Sequence, residues 1–225
     1  MNCVVTAGPT YEPLDDVRRL TNLSTGRLGS DLAAFLTERG HQVTLLIGAQ
    51  ATYREANSAG KVKTFTTTDD LQKHLRALSR SRVNAVFHAA AVSDFAFGKI
   101  WSRSTDGKLT EIKSGKISTR DGALLAELTP TVKIIAGLRK WYPESLLVGW
   151  KFEVEGDRAG VIALGERQME ECHTDACVVN GKGYGPGFGL LTGQGKCRHL
   201  PDAAMLYAAL EQLIHRQGQR TQNSK

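Results

Sequence analysis

VTAGPTYEPLDDVRRLTNLSTGRLGSDLAAFL, residues 5–36, joins a short apolar strand to an amphipathic helix through a long polar loop. Nucleotide-binding α/β folds turn from strand to helix within a few residues. Here the turn is replaced by a run dense in Gly, Thr, Ser, Asn and Arg. Such a run contributes little to a core, so its side chains and amides are read as ligand-binding. At its end, Asn22, Ser24, Thr25 and Gly26 stand directly before the helix. Hydroxyls, a glycine and the unpaired N–H groups of a helix N-terminus form an anion site suited to phosphate. The same residues also read as an ordinary helix cap.

Outward from this stretch the chain alternates strands and helices. Apolar Val- and Leu-rich segments at 3–5, 42–48, 61–65 and 84–90 read as buried parallel strands. Helices are expected over 28–39, 51–59 and 69–80, the last opened by the capping run TTTDD. The alternation continues with a strand at 123–128, a helix over 130–140 with Pro130 in its first turn, a strand at 145–150, a helix near 157–172 and a strand at 175–179. A hairpin of strands 188–191 and 197–200 turns through TGQGK, and a last helix over 202–216 precedes the polar tail 217–225, read as disordered. The fold class is α/β: a doubly wound, Rossmann-like, mostly parallel sheet with helices on both faces and a small β-hairpin or flap subdomain.

The 225 residues, 41% of them hydrophobic, suffice for one sizeable core. No apolar run spans a bilayer and no secretory pattern opens the chain, so a cytoplasmic protein without membrane contact is expected. The four cysteines, Cys3, Cys172, Cys177 and Cys197, are too few for a disulfide framework and are read as reduced thiols. The excess of 29 Lys and Arg over 23 Asp and Glu suits an anionic ligand, while no aromatic-basic platform or helix-turn-helix points to nucleic acid. Cys172, His173, Cys177, Cys197 and His199 match no common zinc spacing, and strand alternation accounts for Cys177 and Cys197.

Gly8 is followed by Pro9, Thr10 and Tyr11, so the contiguous G-x-G-x-x-G pattern of dinucleotide binders is absent, as is any Tyr-x-x-x-Lys pair. After the fourth strand, HAAAVSDF places the small residues Ala90 and Ala91 where a ligand approaches the sheet, and ends in Asp94. A carboxylate there binds a ribose hydroxyl, orients an amine or holds Mg²⁺.

Together TAGPTYEPLDDVRRLTNLSTGRLG, HAAAVSDF, GKI with LLAELTPTVKII, and VGWKFE resemble phosphopantothenoylcysteine synthetase, the phosphopantothenate-cysteine ligase of coenzyme A synthesis, over residues 4–153. The resemblance implies ligation of 4′-phosphopantothenate to L-cysteine through an acyl-nucleotide, with CTP or ATP and Mg²⁺ as co-substrate and cofactor. It also implies a homodimer with shared active sites, and a single synthetase domain over 1–216 with a flap insertion at about 96–122. No flavin is expected.

By position, Asn22 matches the catalytic asparagine, and Arg18, Gly8 and Thr10 fall on the phosphopantothenate side. Ser24, Thr25, Gly26, Ala90, Ala91, Asp94 and Trp150 fall on the nucleotide side, Asp94 also toward Mg²⁺. Lys116 corresponds best to the flap that closes over the triphosphate, with Lys99 as rival. The basic residues that follow in the family's K-x-K-K are here Ile117, Ser118 and Thr119. The family's A-N-D-x-S is replaced by VVNGKGYGPGFG, which keeps Asn180 and leaves CTP and ATP both open. The alternative reading is an NAD(P)-binding oxidoreductase or a ligation-inactive nucleotide-binding regulator on the same fold.

Overall fold

The structure is a computed structural model that describes residues 1–53, 60–113, 115–118 and 123–223. Its centre is an eight-stranded sheet of order β13-β12-β11-β10-β6-β1-β4-β5. The strands are β1 (Asn2–Ala7), β4 (Gln42–Gly48), β5 (Lys61–Phe65), β6 (Ala85–His88), β10 (Leu146–Phe152), β11 (Ala176–Asn180), β12 (Phe188–Leu191) and β13 (Cys197–Leu200). All pairings from β5 to β11 are parallel, and the β12–β13 hairpin closes the edge antiparallel.

Strand alternation sends Cys3, Val5 and Ala7 to one face and Val4 to the other. The first face buries Leu32 and Leu36 of α1 (Arg27–Glu38) with Leu206, Leu210 and Ile214 of α5 (Ala203–Asn223). The second buries Leu71 and Leu75 of α2 (Thr68–Leu78) with Ile134 and Leu138 of α3 (Ile134–Trp141). Helix α4 (Arg158–Cys172) covers Cys177, Val179 and Leu191 through Val161. The sheet is thus covered on both faces, as doubly wound topology requires.

Several boundaries follow from local chemistry. Thr67 caps α2 by accepting from the Asp70 N–H at 3.2 Å, and Asp157 caps α4 by accepting from the Gly160 N–H at 2.8 Å. Helix α5 runs to Asn223, beyond the expected end at 216, because Gln and Arg propagate a helix that Leu206, Leu210 and Ile214 already anchor. The expected helix over 51–59 falls mostly on residues 54–59, outside the described ones, and 51–53 are not helical.

Two small sheets stand beside the main one. Within the long loop, β2 (Tyr11–Pro13) and β3 (Arg19–Thr21) pair as a hairpin that the composition did not reveal. A three-stranded antiparallel sheet, order β8-β7-β9, is built from β7 (Phe95–Arg103), β8 (Leu109–Glu111) and β9 (Ala123–Pro130). The expected strand at 123–128 therefore exists but pairs with β7, outside the parallel sheet. Pro130 is the last residue of β9 and not the first turn of α3, because its register partner is Phe95.

Candidate active site

Strands β1 and β6 are neighbours from which the chain winds outward in opposite directions, so their C-terminal ends form the topological switch point. A cleft of about 1450 Å³ opens there. Its floor is fixed by backbone pairing that continues past both strands: the Ala91 N–H donates to the Gly8 carbonyl at 3.0 Å and the Thr10 N–H to the Ala91 carbonyl at 3.1 Å. The Asn22 Nδ2 amide donates to the same Ala91 carbonyl at 3.1 Å, tying the end of the long loop to the small-residue run.

The glycines missing from a contiguous fingerprint are present in space. Gly8 (φ +76°) and Gly26 (φ +80°) sit in the left-handed region, and a Cβ on Gly26 would lie 3.3 Å from the Gly8 Cα. A Cβ on Gly29 would lie 2.8 Å from the Ala7 Cβ and 3.0 Å from the Thr6 carbonyl, so this glycine sets the close approach of α1 to β1. The sequence reading did not assign Gly29 to the site; the signal was the spacing Gly26-x-x-Gly29. Helix α1 starts at Gly26 with no side-chain cap and no acidic residue in its first turn, and its opening residues line the cleft. The Arg27 N–H already donates to the Thr25 Oγ1 at 3.3 Å, which leaves the next amides, those of Leu28 and Gly29, for an anion.

Of the residues singled out in sequence, Gly8, Asn22, Ser24, Thr25, Gly26, Ala90, Ala91, Asp94 and Trp150 all line this cleft, as does Asn180. Asp94 is exposed, with no ion pair among the described residues. Trp150 packs partly against the core as well as lining the cleft. Its Nε1 and the Asn180 Oδ1 are buried without a hydrogen-bond partner among the described residues. The glycine-rich run after Asn180 is shaped by close packing: a Cβ on Gly181 would sit 2.2 Å from the Glu153 carbonyl.

Four residues are placed elsewhere. Thr10 is fully buried behind the wall, where its Oγ1 accepts from the Ser93 N–H at 2.8 Å. Arg18 donates to Asp15 at 2.5 Å and to the Ile117 carbonyl at 2.7 Å. The Ile117 N–H in turn donates to Asp15 at 3.1 Å, so Asp15 and Arg18 clasp residues 115–118 against the β2–β3 turn. The Arg18 guanidinium, aided by N–H bonds from Ile117, Val17 and Arg18, holds the Asp15 carboxyl well below the usual carboxylate range despite desolvation. Lys116 lies exposed on that clasped segment, outside the cleft lining. Lys99 faces Glu111 across the small sheet at 3.8 Å.

The lining adds cations that the motifs did not single out. Arg27, Lys133, Lys151 and Arg167 stand against Asp94 and Glu171, a balance that favours an anion. All four already have carboxylate neighbours: Arg27 has Asp31 at 3.4 Å, Lys133 and Arg167 share Glu171 at 3.7 and 2.7 Å, and Lys151 has Glu153 at 2.8 Å.

His88, which heads the small-residue run, also lines the cleft and was not singled out. Its Nδ1 lies 3.0 Å from the Thr6 Oγ1, which accepts from the Ala90 N–H at 3.1 Å. Burial pushes its imidazole down to about 4, so it is neutral at physiological pH. Between about pH 6.5 and 4 the unfolded chain binds a proton that the folded chain refuses. This term is therefore full above the window and is lost as pH falls through it, by about 3 kcal/mol in all. Urea unfolding of the His88→Gln variant is expected to show a shallower loss of stability from pH 6.5 to 4 than the parent. An unchanged slope would assign the acid sensitivity elsewhere.

Buried thiols play no part: burial pushes Cys3 and Cys177 up to about 12. The Cys172, His173, Cys177, Cys197 and His199 set does not converge on a metal position among the described residues. No helix of the described residues is long and apolar enough to cross a membrane.

Residues 1–197 match the family model described as the DNA/pantothenate metabolism flavoprotein C-terminal domain. Among curated proteins, the coenzyme A biosynthesis bifunctional protein CoaBC of Thermococcus kodakarensis is 31% identical over 177 residues, which are 79% of this chain and 40% of that protein. The chain thus spans less than half the length of that relative. The solved structure of the DNA/pantothenate metabolism flavoprotein from Streptococcus pneumoniae superposes with a TM-score of 0.83 at 23% identity, covering 96% of this chain and 99% of that one. A Cab2 variant in complex with phosphopantothenate-cysteine superposes with a TM-score of 0.73 at 19% identity, covering 99% of this chain and 88% of that one. These two likenesses establish the fold.

Proposed function

Because the chain belongs to the DNA/pantothenate metabolism flavoprotein C-terminal domain family, we propose that its cleft ligates 4′-phosphopantothenate to L-cysteine, driven by CTP or ATP. The observation that carries the reading is the joining of two motifs at one switch point, where Asn22 and Thr10 share the Ala91 carbonyl. The names of the relatives support the substrates: CoaBC is a coenzyme A biosynthesis protein, and the Cab2 structure holds phosphopantothenate-cysteine.

In the proposed reaction the phosphopantothenate carboxylate attacks the α-phosphorus of the nucleotide and pyrophosphate leaves. The cysteine amine then attacks the acyl carbon of the acyl-nucleotide, the nucleoside monophosphate leaves, and a proton is released from the nitrogen. Charge is moved between oxygens at each step, so fixed donors serve better than a protein nucleophile. Asn22 spends one amide N–H on Ala91 and retains a second N–H and its carbonyl for the reacting group. Ser24, Thr25 and the Leu28 and Gly29 amides of α1 hold phosphate oxygens, and Lys151 and Arg167 offset their charge. Trp150 and Asn180, which both line the cleft, stand where the base would lie.

A lone exposed carboxylate suits Mg²⁺, which keeps most of its waters and binds through few protein oxygens plus phosphates. Asp94 would hold it, and the ion would neutralise triphosphate charge. The test is pyrophosphate release with CTP and ATP side by side. Release that requires both phosphopantothenate and nucleotide supports ligation; its absence with either nucleotide favours a ligation-inactive nucleotide binder.

We also propose a homodimer. The small sheet leaves Phe95, Leu109, Leu124, Leu125 and Leu128 exposed, and Val17 and Leu20 of the neighbouring hairpin likewise. Clustered apolar surface of this kind marks an interface. Leu124 and Leu128 share one side of β9 by strand alternation. Sedimentation velocity is expected to give a dimer for the parent and monomer for the Leu124→Arg, Leu128→Arg double variant. A monomeric parent with full activity would overturn the assembly.

A further inference from the structure

At the opposite end of the sheet, below the N-terminal edges of the parallel strands, His41, Glu211 and His215 converge. Their positions are set by structure that has nothing to do with the cleft. Helix α1 ends in a closed turn in which the Gly40 N–H donates to the Thr37 carbonyl at 2.9 Å and the His41 N–H to the Leu36 carbonyl at 3.0 Å. That pairing is the Schellman arrangement, and Gly40 supplies its left-handed residue (φ +80°). His41 is thereby held at the entrance of β4. Glu211 and His215 lie one helical turn apart on α5, whose register is fixed by the buried Leu210 and Ile214.

The side chains meet at one oxygen. Glu211 Oε1 lies 3.7 Å from the His41 Nε2 and 3.8 Å from the His215 Nε2, and the three ligand atoms all fall within 4.8 Å of one another. A tetrahedral ion with bonds of about 2.0–2.2 Å needs its ligands about 3.4 Å apart, so small side-chain rotations close the gap. A second observation points the same way. His41 is only 7% exposed, yet neither ring nitrogen has a hydrogen-bond partner among the described residues. A buried imidazole with both nitrogens unsatisfied is an unfavourable arrangement, and a cation bound at Nε2 would relieve it at that nitrogen. The Arg39 guanidinium stands 3.8 Å from the other Glu211 oxygen and orients the carboxylate with Oε1 toward the imidazoles.

We infer that His41, Glu211 and His215 form a binding site for a divalent transition metal ion, with zinc as the representative and water completing the coordination. Two imidazoles and one carboxylate suit Zn²⁺, Co²⁺ or Ni²⁺ and disfavour Mg²⁺ and Ca²⁺, which take oxygen ligands. The ion clamps the second half of α5 to the α1–β4 turn, distant from the cleft, and so acts on the stability of the C-terminal helix and not on the reaction.

The test uses the full chain freed of metal by chelator and titrated with Co²⁺, followed by visible absorption and by calorimetry, with Zn²⁺ as competitor. The expected result is one site displaced by Zn²⁺ and not by Mg²⁺. His215→Ala, a change at an exposed side chain, and Glu211→Gln should each weaken it by about 10-fold or more. Saturating Zn²⁺ should raise the parent's Tm by about 5 °C or more and leave that of His215→Ala unmoved. Binding of equal strength in the parent and in His215→Ala, or no binding by the parent, would overturn the assignment. Circular dichroism of both variants separates lost ligation from lost folding.

Discussion

Replacing Asn22 by alanine is expected to slow phosphopantothenate-dependent pyrophosphate release by about 10²- to 10³-fold, the usual effect of removing one fixed donor from a site where charge develops. The structure makes the experiment clean. Asn22 is exposed, and its contact with the fold is the Nδ2 bond to the Ala91 carbonyl, which keeps the Thr10 N–H at 3.1 Å when the asparagine is lost. The stability cost should therefore stay near 1 kcal/mol, within reach of a urea titration. Single-turnover pyrophosphate release without cysteine isolates the first chemical step. A fall of less than about threefold, with Tm unchanged, would reduce Asn22 to a tether between the loop and Ala91 and remove it from the chemistry.

The second large effect is expected for Lys116→Ala, again about 10²- to 10³-fold on pyrophosphate release if its ammonium offsets charge on the leaving group. Lys99→Ala and Lys113→Ala should change little, since both ammonium groups lie on the exposed small sheet near Glu111, at 3.8 and 3.9 Å. In the single chain Lys116 sits outside the cleft lining, on the segment that Asp15 and Arg18 clasp. It must therefore reach a cleft by segment movement or by serving that of a second copy. Mixing the inactive Asn22→Ala and Lys116→Ala proteins separates the two routes. Sharing across copies should restore about one quarter of the parent rate, because half the random dimers carry one intact site. Movement within one chain should restore none. A large defect in Lys99→Ala with a normal Lys116→Ala would place the flap on β7 instead.

Much of the parallel sheet was legible because its strands are short apolar runs buried on both faces, and because Asp157 and the TTTDD run mark their helices by capping chemistry. The strand at 123–128 was misplaced for a physical reason. ALLAEL has the apolar content of a buried strand, yet all of it is exposed in the single chain, where it pairs with β7 at the molecule's edge. Composition does not distinguish a strand buried by its own fold from one left exposed beside it. Proline at 130 suits a helix start and a strand end equally, and only pairing with Phe95 separates the two. The β2–β3 hairpin was hidden because three-residue strands carry no periodicity.

At the site, the motif residues were legible by position, whereas His88, Lys133 and Lys151 came from topology. Arg18 illustrates the limit. Its guanidinium suits a phosphate on chemical grounds alone, but only the fold reveals Asp15 and the Ile117 carbonyl as its partners.

The meeting of Gly8 with Gly26, and of Ala7 with Gly29, has an architectural consequence. The joint between first strand and first helix is assembled from both banks of the loop, and within residues 9–25 the parts that bind back to it are the two ends, Pro9 and Thr10 on one side and Asn22 on the other. Closing a longer loop costs little, roughly 0.6 kcal/mol for each doubling, and the internal hairpin and the Glu12 bond to the Thr68 N–H at 2.9 Å offset part of it. The hairpin at the middle of the stretch therefore behaves as an exchangeable cassette, held at both ends by residues that must stay. The middle of that stretch, the hairpin between Tyr11 and Thr21, can be lengthened or rewritten while the glycine contacts of strand and helix keep their spacing, so a search for this scaffold must tolerate a gap of variable length after the first glycine.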